Sequence, residues 1–168
     1  MKILVAVAVI LLFSLAGFAK AADYEERNKV IKALLNDIRK ISMQIEFTSD
    51  PVVIILDKIS TESELKEIWQ EQIRNINNSM SCYEAWQNVV CNNDKIQYLL
   101  QGEEKKGLDS FFRTLGTGDK VSEKKNAEHI YELLDEISTR LNQETNNKKK
   151  LCKSLGTLIG IAIAILII

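Results

Sequence analysis

The fold of this chain is decided by residues 122–168, which read SEKKNAEHIYELLDEISTRLNQETNNKKKLCKSLGTLIGIAIAILII. In the first part, apolar residues recur at steps of three and four, the spacing of one face of an α-helix. They are Ile130, Leu133, Leu134, Ile137 and Leu141. The polar stretch 142–150 contains neither glycine nor proline, and the apolar run 155–168 follows it. The stretch therefore predicts one continuous helix that begins in a folded domain, continues as a polar stalk and ends as a membrane span.

A second apolar run lies at the other end of the chain, from Ile3 to Phe18. As a helix it would be roughly 25 Å long, near the short end of what crosses a hydrocarbon core of about 30 Å. The C-terminal run reaches nearly as far if it is counted from Leu151 and the ammonium of Lys153 extends toward the headgroups. We therefore expect an N-terminal transmembrane helix over residues 1–22 and a C-terminal one over residues 149–168.

Basic residues cluster on the inner flanks of both predicted spans, and only Lys2 lies outside them. These residues are Lys20, Arg27, Lys29 and Lys32 after the first span, and Lys148, Lys149, Lys150 and Lys153 before or within the second. The positive-inside rule then places residues 23–148 in the cytoplasm and both termini across the membrane.

The first run has an alternative interpretation as a cleaved signal peptide. Lys2 gives it a positive start, and Ala19-Lys20-Ala21 is an A-x-A sequence at which a peptidase could cut. The chain would then be a secreted or surface-anchored helical binding module, with its domain on the opposite side of the membrane.

The middle region, residues 23–148, is predicted to be one all-α bundle. The chain has a single proline and is rich in helix-forming residues, and no stretch alternates between polar and apolar residues. A helical stripe that starts soon after the first span consists of Val30, Leu34, Ile38, Ile41 and Ile45. Trp69 and Trp86 also fall at helical spacing beside aliphatic residues, so we expect them in the core.

Local patterns predict where the shorter helices begin and end. An N-cap followed by a first helical residue is indicated by Asp50 and Pro51, and capping boxes are indicated by Thr61 with Glu64 and by Ser81 with Glu84. A helix over Leu108–Leu115 should end at Gly116, a natural left-handed position. The asparagine pair at 92–93 is interpreted as a loop end or as compositional bias, without a mechanistic role.

No constellation of catalytic or metal-binding residues is recognisable in the sequence. His129 is the only histidine and is interpreted as a residue of the helix surface or of the helix packing. Cys82 and Cys91 would point to opposite sides of one helix and cannot pair there, as expected of reduced cytoplasmic thiols. The net charge of −1 does not favour nucleic-acid binding, and no phosphate-binding loop is present. The sequence therefore predicts a protein that is not an enzyme and has no cofactor.

Gly156 and Gly160 lie four residues apart in the second predicted span. Small residues at this spacing let another helix approach closely. The partner helix could be the first span, which would make the molecule a hairpin, or a helix of another protein.

The chain resembles the stage III sporulation protein AB family of endospore-forming bacteria. The residues that carry the resemblance most strongly are Phe112, Leu115-Gly116, Asp119, His129-Ile130 and Lys153-Ser154-Leu155-Gly156. Looser matches are Gly17-Phe18, Tyr24, Arg27, Phe47, Pro51 and Glu84-Ala85-Trp86. The chain departs from the family pattern at Gln44 and Asn126, and its interval from Asp119 to His129 is longer.

The resemblance implies a helical domain similar to the cytoplasmic domain of the type II secretion inner-membrane platform F subunit. It also implies a place in the inner membrane of the mother cell, in the channel to the forespore, with the ATPase stage III sporulation protein AA and other channel subunits as partners. Forespore gene expression under sigma factor G would depend on this assembly. A homo-oligomer is left open.

Eleven residues are our candidates for interaction or structural roles. They are Pro51, Trp86, Leu115, Gly116, Asp119, His129, Lys153, Ser154, Leu155, Gly156 and Gly160. We expect the turn around Leu115, Gly116 and Asp119 to fix two helices or to present a docking surface. The residues from Lys153 to Gly156 should set the depth and packing of the last span.

Overall fold

The computed structural model of the chain describes residues 2–48, 50–117 and 119–167, with side chains at only some positions of 2–23 and 145–167. The described residues form seven helices and no strand. In chain order these are α1 (Lys2–Phe47), α2 (Val52–Ser60), α3 (Lys66–Asn77), α4 (Cys82–Asn92), α5 (Asp94–Leu99), α6 (Glu103–Thr114) and α7 (Lys120–Ile167). The prediction of an all-α protein is confirmed, and so is the prediction of one uninterrupted C-terminal helix.

The backbone divides into two compact units. The terminal unit contains Met1–Lys29 and Thr139–Ile168, and the central unit contains Val30–Ser138. Within the terminal unit, Nδ2 of Asn28 donates a hydrogen bond of 2.8 Å to Oδ1 of Asn142.

The two predicted membrane spans fall in the terminal unit, where most side chains lie outside the described residues. Among the residues that are described, no helix has an apolar segment long enough to cross a membrane. The structure does not describe the side chains of Lys153 and Leu155 or the surroundings of the glycine pair at 156 and 160.

The core of the central unit is formed by the predicted stripe of α1, the shorter helices and buried residues of α7 such as Ile130, Leu134 and Ile137. All five stripe residues, Val30, Leu34, Ile38, Ile41 and Ile45, are buried. Helix α3 packs against α2 and α4, and α4 packs against α5 and α6. Apolar side chains removed from water in this way supply most of the free energy that holds such a bundle together.

An aromatic cluster lies at the centre of this core. Trp69, Trp86, Phe111 and Phe112 are all buried, and the ring centroids of Trp86 and Phe112 are 4.6 Å apart in a stacked arrangement. Phe112 also contacts Phe111 edge to face at 5.0 Å and Trp69 at 6.2 Å. The prediction that both tryptophans are core residues is confirmed.

The predicted start of α2 is wrong by one residue. Pro51 has φ −56° and ψ 146°, so it stands just outside the helix, and its carbonyl accepts the amides of Ile54 and Ile55 at 2.9 and 3.2 Å. Asp50 does not cap the helix, because its carboxylate accepts a 2.7 Å hydrogen bond from Lys58 instead.

Of the two predicted capping boxes, one is confirmed and the other is wrong. The amide of Glu84 donates to Oγ of Ser81 at 3.2 Å, and the amide of Ser81 donates to the Glu84 carboxylate at 2.8 Å. Thr61 instead follows the last residue of α2 and donates to the carbonyl of Lys58 at 2.7 Å. Its hydroxyl closes the preceding helix, and α3 begins only at Lys66.

Two helix boundaries were not predicted from the sequence. Asn93 is more than a loop end, because its Oδ1 accepts the amide of Ile96 at 3.0 Å and so caps α5. Helix α6 begins at Glu103, five residues before the predicted Leu108. The turn before it depends on Gly102, whose φ of +103° is accessible mainly to glycine.

Candidate functional site

The candidate site is built on the turn between α6 and α7. Leu115 is buried and anchors the turn in the core, while Gly116 has φ +83°, a left-handed conformation that suits glycine. The amide of Gly116 donates a hydrogen bond of 3.0 Å to Oε1 of Glu123. Glu123, in the first turn of α7, thus binds the backbone of the turn that follows α6.

Asp119 caps the start of α7. Its Oδ1 accepts the amides of Val121 and Ser122 at 3.2 and 3.4 Å, and its carbonyl accepts the amide of Glu123 at 2.9 Å. Hydrogen bonds from Ser122 are the main reason that the pKa of Asp119 lies below its usual value. The neighbouring Gly118 lies outside the described residues.

Gly116 brings the turn into contact with α2 and α4. A Cβ atom at this position would lie 3.2 Å from Cγ2 of Val52 and 3.3 Å from Sγ of Cys82. Glycine is therefore required twice here, for its backbone angle and for the close approach of two neighbouring elements.

These elements surround a surface cleft of about 420 Å³ in the central unit. Its lining includes apolar side chains from the end of α1 and the start of α2, such as Ile45, Val52 and Ile55. Pro51 and Gly116 are far apart in the sequence, yet both line this cleft. The structure thus brings together two residues of the family pattern that are separated by most of the central unit.

Charged and thiol groups form the polar part of the cleft. Glu123 is buried, and Nζ of Lys120 donates to the carbonyl of Thr48 at 3.3 Å. Burial, and to a smaller extent the negative charge of Glu123, raises the pKa of the Cys82 thiol. A raised pKa leaves little thiolate at neutral pH, so Cys82 is a poor nucleophile.

A second cleft of about 430 Å³ adjoins the first and shares Ile45 and Lys120 with it. It extends along the first turns of α7 past Val121, Lys124 and Lys125. Lys124 pairs with Glu46 of α1 at 2.6 Å, and this hydrogen bond raises the pKa of Lys124 above its usual value.

The other sequence candidates lie elsewhere. Trp86 is in the core, and its Nε1 donates to Oδ1 of Asp109 at 3.0 Å. His129 is exposed on α7, as expected of a surface residue. Ser154 is exposed on the same helix in the terminal unit.

The role of Glu123 was not predicted from the sequence. An acidic residue in the first turn of a helix is ordinarily explained by the helix dipole alone, so nothing in the local pattern distinguishes a carboxylate that reaches back to a preceding turn. The one feature of the sequence that could have indicated this role is the position of Glu123 shortly after a turn that contains glycine.

The arrangement is suited to binding. Among the residues with described positions, no cluster of histidine, cysteine and acidic side chains could hold a metal ion. Cys82 and Cys91 are both free thiols. What the site provides is a pair of adjoining clefts whose lining combines apolar side chains with both lysines and carboxylates.

The chain matches the family described as stage III sporulation protein AB over residues 2–168. It is similar to the curated stage III sporulation protein AB of Bacillus subtilis (strain 168), with 25% identity over 174 residues that cover 99% of each chain. No solved structure matches the chain.

Proposed function

The chain belongs to the stage III sporulation protein AB family, and from this membership we propose that it is a non-enzymatic membrane platform of the channel between mother cell and forespore. The observation that carries the proposal is the family match, which extends over residues 2–168 and so includes both apolar ends and the whole central unit. A role in sporulation follows from the family itself.

In this proposal the two apolar ends anchor the protein in the inner membrane of the mother cell. The basic residues that flank them on the inner side favour a cytoplasmic central unit. Charge reversal at both Lys149 and Lys150 should therefore disturb insertion or orientation. The pairing of Asn28 with Asn142 supports an arrangement in which the two ends are neighbours.

The central unit would receive the ATPase of the assembly, stage III sporulation protein AA, and transmit its position or force to other channel subunits. Support comes from the construction of the unit, because a dense aromatic core and capped helices resist deformation. A platform of this kind needs a stiff body with a binding surface, and no reaction has to take place on it.

Deletion of the gene in the endospore-forming organism that carries it tests the sporulation role. We expect heat-resistant spores to be lost and forespore gene expression under sigma factor G to fail, with both restored by the full chain. Cells that form normal spores without the gene would contradict the proposal. Membrane co-purification of the chain with the ATPase from sporulating cells tests the partner separately.

Two measurements separate the platform from a secreted binding module. A reporter fused after Cys91 should be active in the cytoplasm, and mass spectrometry of the native N-terminus should find residues 1–21 intact. Cleavage after Ala21 together with an extracytoplasmic reporter would establish the alternative, in which the first apolar run is a signal peptide.

A further inference from the structure

We propose that the central unit binds a second copy of the chain through the outer faces of α1 and α7. The contact is two-fold symmetric, and α1 of each copy lies antiparallel to α7 of the other. The inference goes beyond the proposed function, because a platform that receives an ATPase does not have to pair with itself. The charges and exposed side chains of the central unit carry it.

Exposed residues of α1 form one stripe along the part of this helix that belongs to the central unit. We name it the α1 stripe, and its members are Lys32, Asn36, Arg39, Met43 and Phe47. They recur at steps of three and four, so they share one helix face. Lys32 and Arg39 form no ion pair with a described residue, whereas the neighbouring Lys40 is paired with Glu62 at 2.8 Å. The last two members are apolar and are 50% and 77% exposed.

Exposed residues of α7 form a second stripe, in which the charge changes sign. We name it the α7 stripe, and its members are Val121, Lys125, Glu128, Glu132, Asp135 and Glu136. Its last four members are carboxylates. Glu128 approaches Lys124 at 4.0 Å, and the other three carboxylates form no ion pair with a described residue. Most of the α7 stripe is therefore acidic, whereas the charged members of the α1 stripe are basic.

Both stripes open on the same side of the central unit. Glu46 of α1 and Lys124 of α7 are paired at 2.6 Å, and one cleft is lined by residues of both helices, including Glu46 and Lys125. The other helices lie behind this layer, because Asp37 of α1 is hydrogen-bonded to α3 and α6 packs against α7 at Gly107. The outer side of the layer is consequently open to a partner.

Two contacts show how the levels of α1 and α7 correspond. Glu46 meets Lys124, and the carbonyl of Thr48 accepts a hydrogen bond from Lys120 at 3.3 Å, so the helices run in opposite directions here. Each residue toward the start of α1 then corresponds to one residue further along α7, at about 1.5 Å per residue. Arg39 lies near the level of residue 131, and position 32 lies near the level of residue 138.

A two-fold axis parallel to these helices preserves the levels and lays α1 of one copy on α7 of the other. Arg39 then faces Glu132 of the partner copy, and Lys32 lies within one turn of the partner copy's Asp135. Phe47 lies near Val121 of the partner copy, which is 79% exposed in the single chain, so both apolar groups leave water.

This complementarity identifies the occupant as a second copy. One surface carries a basic stripe beside an acidic stripe at matching levels, which is what a self-complementary two-fold contact requires. At the level of Lys125 the α1 stripe of the partner copy has no cation, so like charges do not meet there. A two-fold axis across the helices would instead lay α1 on α1 and α7 on α7, with like charges opposed.

The first test uses two differently tagged full-length chains that are produced together and purified from membranes in detergent. One tag should recover the other when both chains are wild type. When both chains carry Arg39→Glu, or both carry Glu132→Arg, recovery should fall about tenfold, because like charges then meet at both contacts of the symmetric pair. Arg74→Glu, at an exposed arginine of α3, is the matched control and should leave recovery unchanged.

The decisive combination pairs an Arg39→Glu chain with a Glu132→Arg chain. Each of the two contacts then joins opposite charges again, so recovery should return to the wild-type level. A variant that associates poorly because it is misfolded would not be rescued by a second defective variant. The mixture therefore separates a contact between copies from a loss of folding.

Crosslinking tests the register in the membrane. A photo-crosslinking amino acid at position 43 of the full-length chain should give a product of twice the mass, and mass spectrometry should identify a peptide from residues 120–131 of the second copy. The control position is Tyr98 of α5, which is 57% exposed and lies on neither stripe. It should not give this product.

Three results would overturn the inference. They are wild-type chains that do not recover each other, a mixture of the two variants that recovers no better than either variant alone, and capture by position 43 of a different protein in place of a second copy. Spore formation does not enter any of these measurements. Normal spores in cells without the gene would therefore remove the proposed function and leave the contact between copies in place.

Discussion

The indole Nε1 of Trp69 donates a hydrogen bond of 2.7 Å to Oδ2 of Asp37, and both side chains are buried. Oγ of Ser63 donates to the same carboxylate oxygen at 2.5 Å. One acidic group of α1 thus satisfies a buried donor of α3 and fixes the loop that leads into it. A buried indole N–H without an acceptor would cost free energy, so this carboxylate holds three elements in register.

Replacement of Asp37 by leucine should destabilise the protein strongly. Nε1 of Trp69 and the hydroxyl of Ser63 would lose the acceptor they share, and a buried donor left unsatisfied costs about 1–3 kcal/mol. Asp37→Asn keeps an oxygen at this place and should cost much less. Thermal unfolding of the full chain in detergent, followed by circular dichroism, compares the variants. Equal stability of the leucine and asparagine variants would show that the hydrogen bonds contribute little.

The stability of the protein should depend on pH through Asp37. Burial, as the largest effect, raises the pKa of this carboxyl above its ordinary value of 3.8, although the hydrogen bonds from Ser63 and Trp69 oppose the shift. A folded-state pKa above the unfolded one means that the folded protein binds the proton more tightly. The resulting stabilisation is present below pH 3.8 and is lost as pH rises through the folded-state pKa.

The measurement is the difference in melting temperature between wild type and Asp37→Asn from pH 3.5 to pH 7, since other acidic groups affect both proteins alike. The asparagine variant should gain relative to wild type as pH rises. A relative loss would mean that the hydrogen bonds outweigh burial and that the pKa is lowered.

Gly107 should not tolerate a larger residue. A Cβ atom there would lie 2.6 Å from Cδ2 of Leu133 and 2.7 Å from Cδ1 of Ile130, both on α7. Gly107→Ala should therefore destabilise the protein by about 1–3 kcal/mol through overpacking, despite the better helix propensity of alanine. Ser110→Ala, on the exposed face of the same helix, is the control and should be neutral or slightly stabilising.

The double variant Gly107→Ala with Leu133→Ala provides a second check on this contact. Truncation of Leu133 makes room for the new methyl group, so the two changes together should cost less than the sum of the single changes. If the stability losses of the two single variants simply add in the double variant, the effect of Gly107→Ala does not arise at the contact between α6 and α7.

Gln72 is expected to be a weak point of the core. Its side chain is completely buried, and neither Nε2 nor Oε1 has a hydrogen-bond partner among the described residues. Gln72→Met keeps a similar volume without the polar atoms and should stabilise the protein by about 1–3 kcal/mol. Gln87→Met is the control, because Gln87 donates to Asp109 at 2.7 Å and should not gain. A destabilised Gln72→Met protein would indicate a bound water or partner at this side chain.

The sequence predicts well what depends on residues close together in the chain. The stripe from Val30 to Ile45 follows from helical spacing, and the capping box of Ser81 and Glu84 follows from a separation of three residues. The same pattern failed at Thr61 because its hydroxyl bonds to the helix before it, and sequence alone does not decide between the two helices that a threonine separates.

What the sequence does not reveal depends on contacts between distant segments. Asp37 and Trp69 are 32 positions apart, and no local pattern marks a carboxylate that will be buried beneath an indole. The cleft has the same origin, since Pro51 and Gly116 line one cleft only because the turn before α7 packs against the first residues of α2 and α4. The family resemblance picked out both residues but could not indicate that they share a surface.

Gly116→Ala should damage both the fold and the shape of the first cleft, which Gly116 lines. Its φ of +83° is unfavourable for alanine, and the added Cβ would press on Val52 at 3.2 Å and on Cys82 at 3.3 Å. We expect a loss of about 1–3 kcal/mol from backbone strain and crowding together. Asparagine tolerates the left-handed angle better than alanine, but in Gly116→Asn its Cβ would contact the same neighbours. Adding Cys82→Ala to either variant should restore only the part of the stability that is lost through crowding.

Melting temperature and the yield of heat-resistant spores together decide how Gly116 acts. Glu123→Gln is the matched control, because it keeps an oxygen that can accept the Gly116 amide while removing a charge from the cleft. If Gly116→Ala lowers both readouts and Glu123→Gln lowers neither, the turn acts through its conformation. A Gly116→Ala protein with unchanged stability would show that the left-handed turn is not under the strain inferred here.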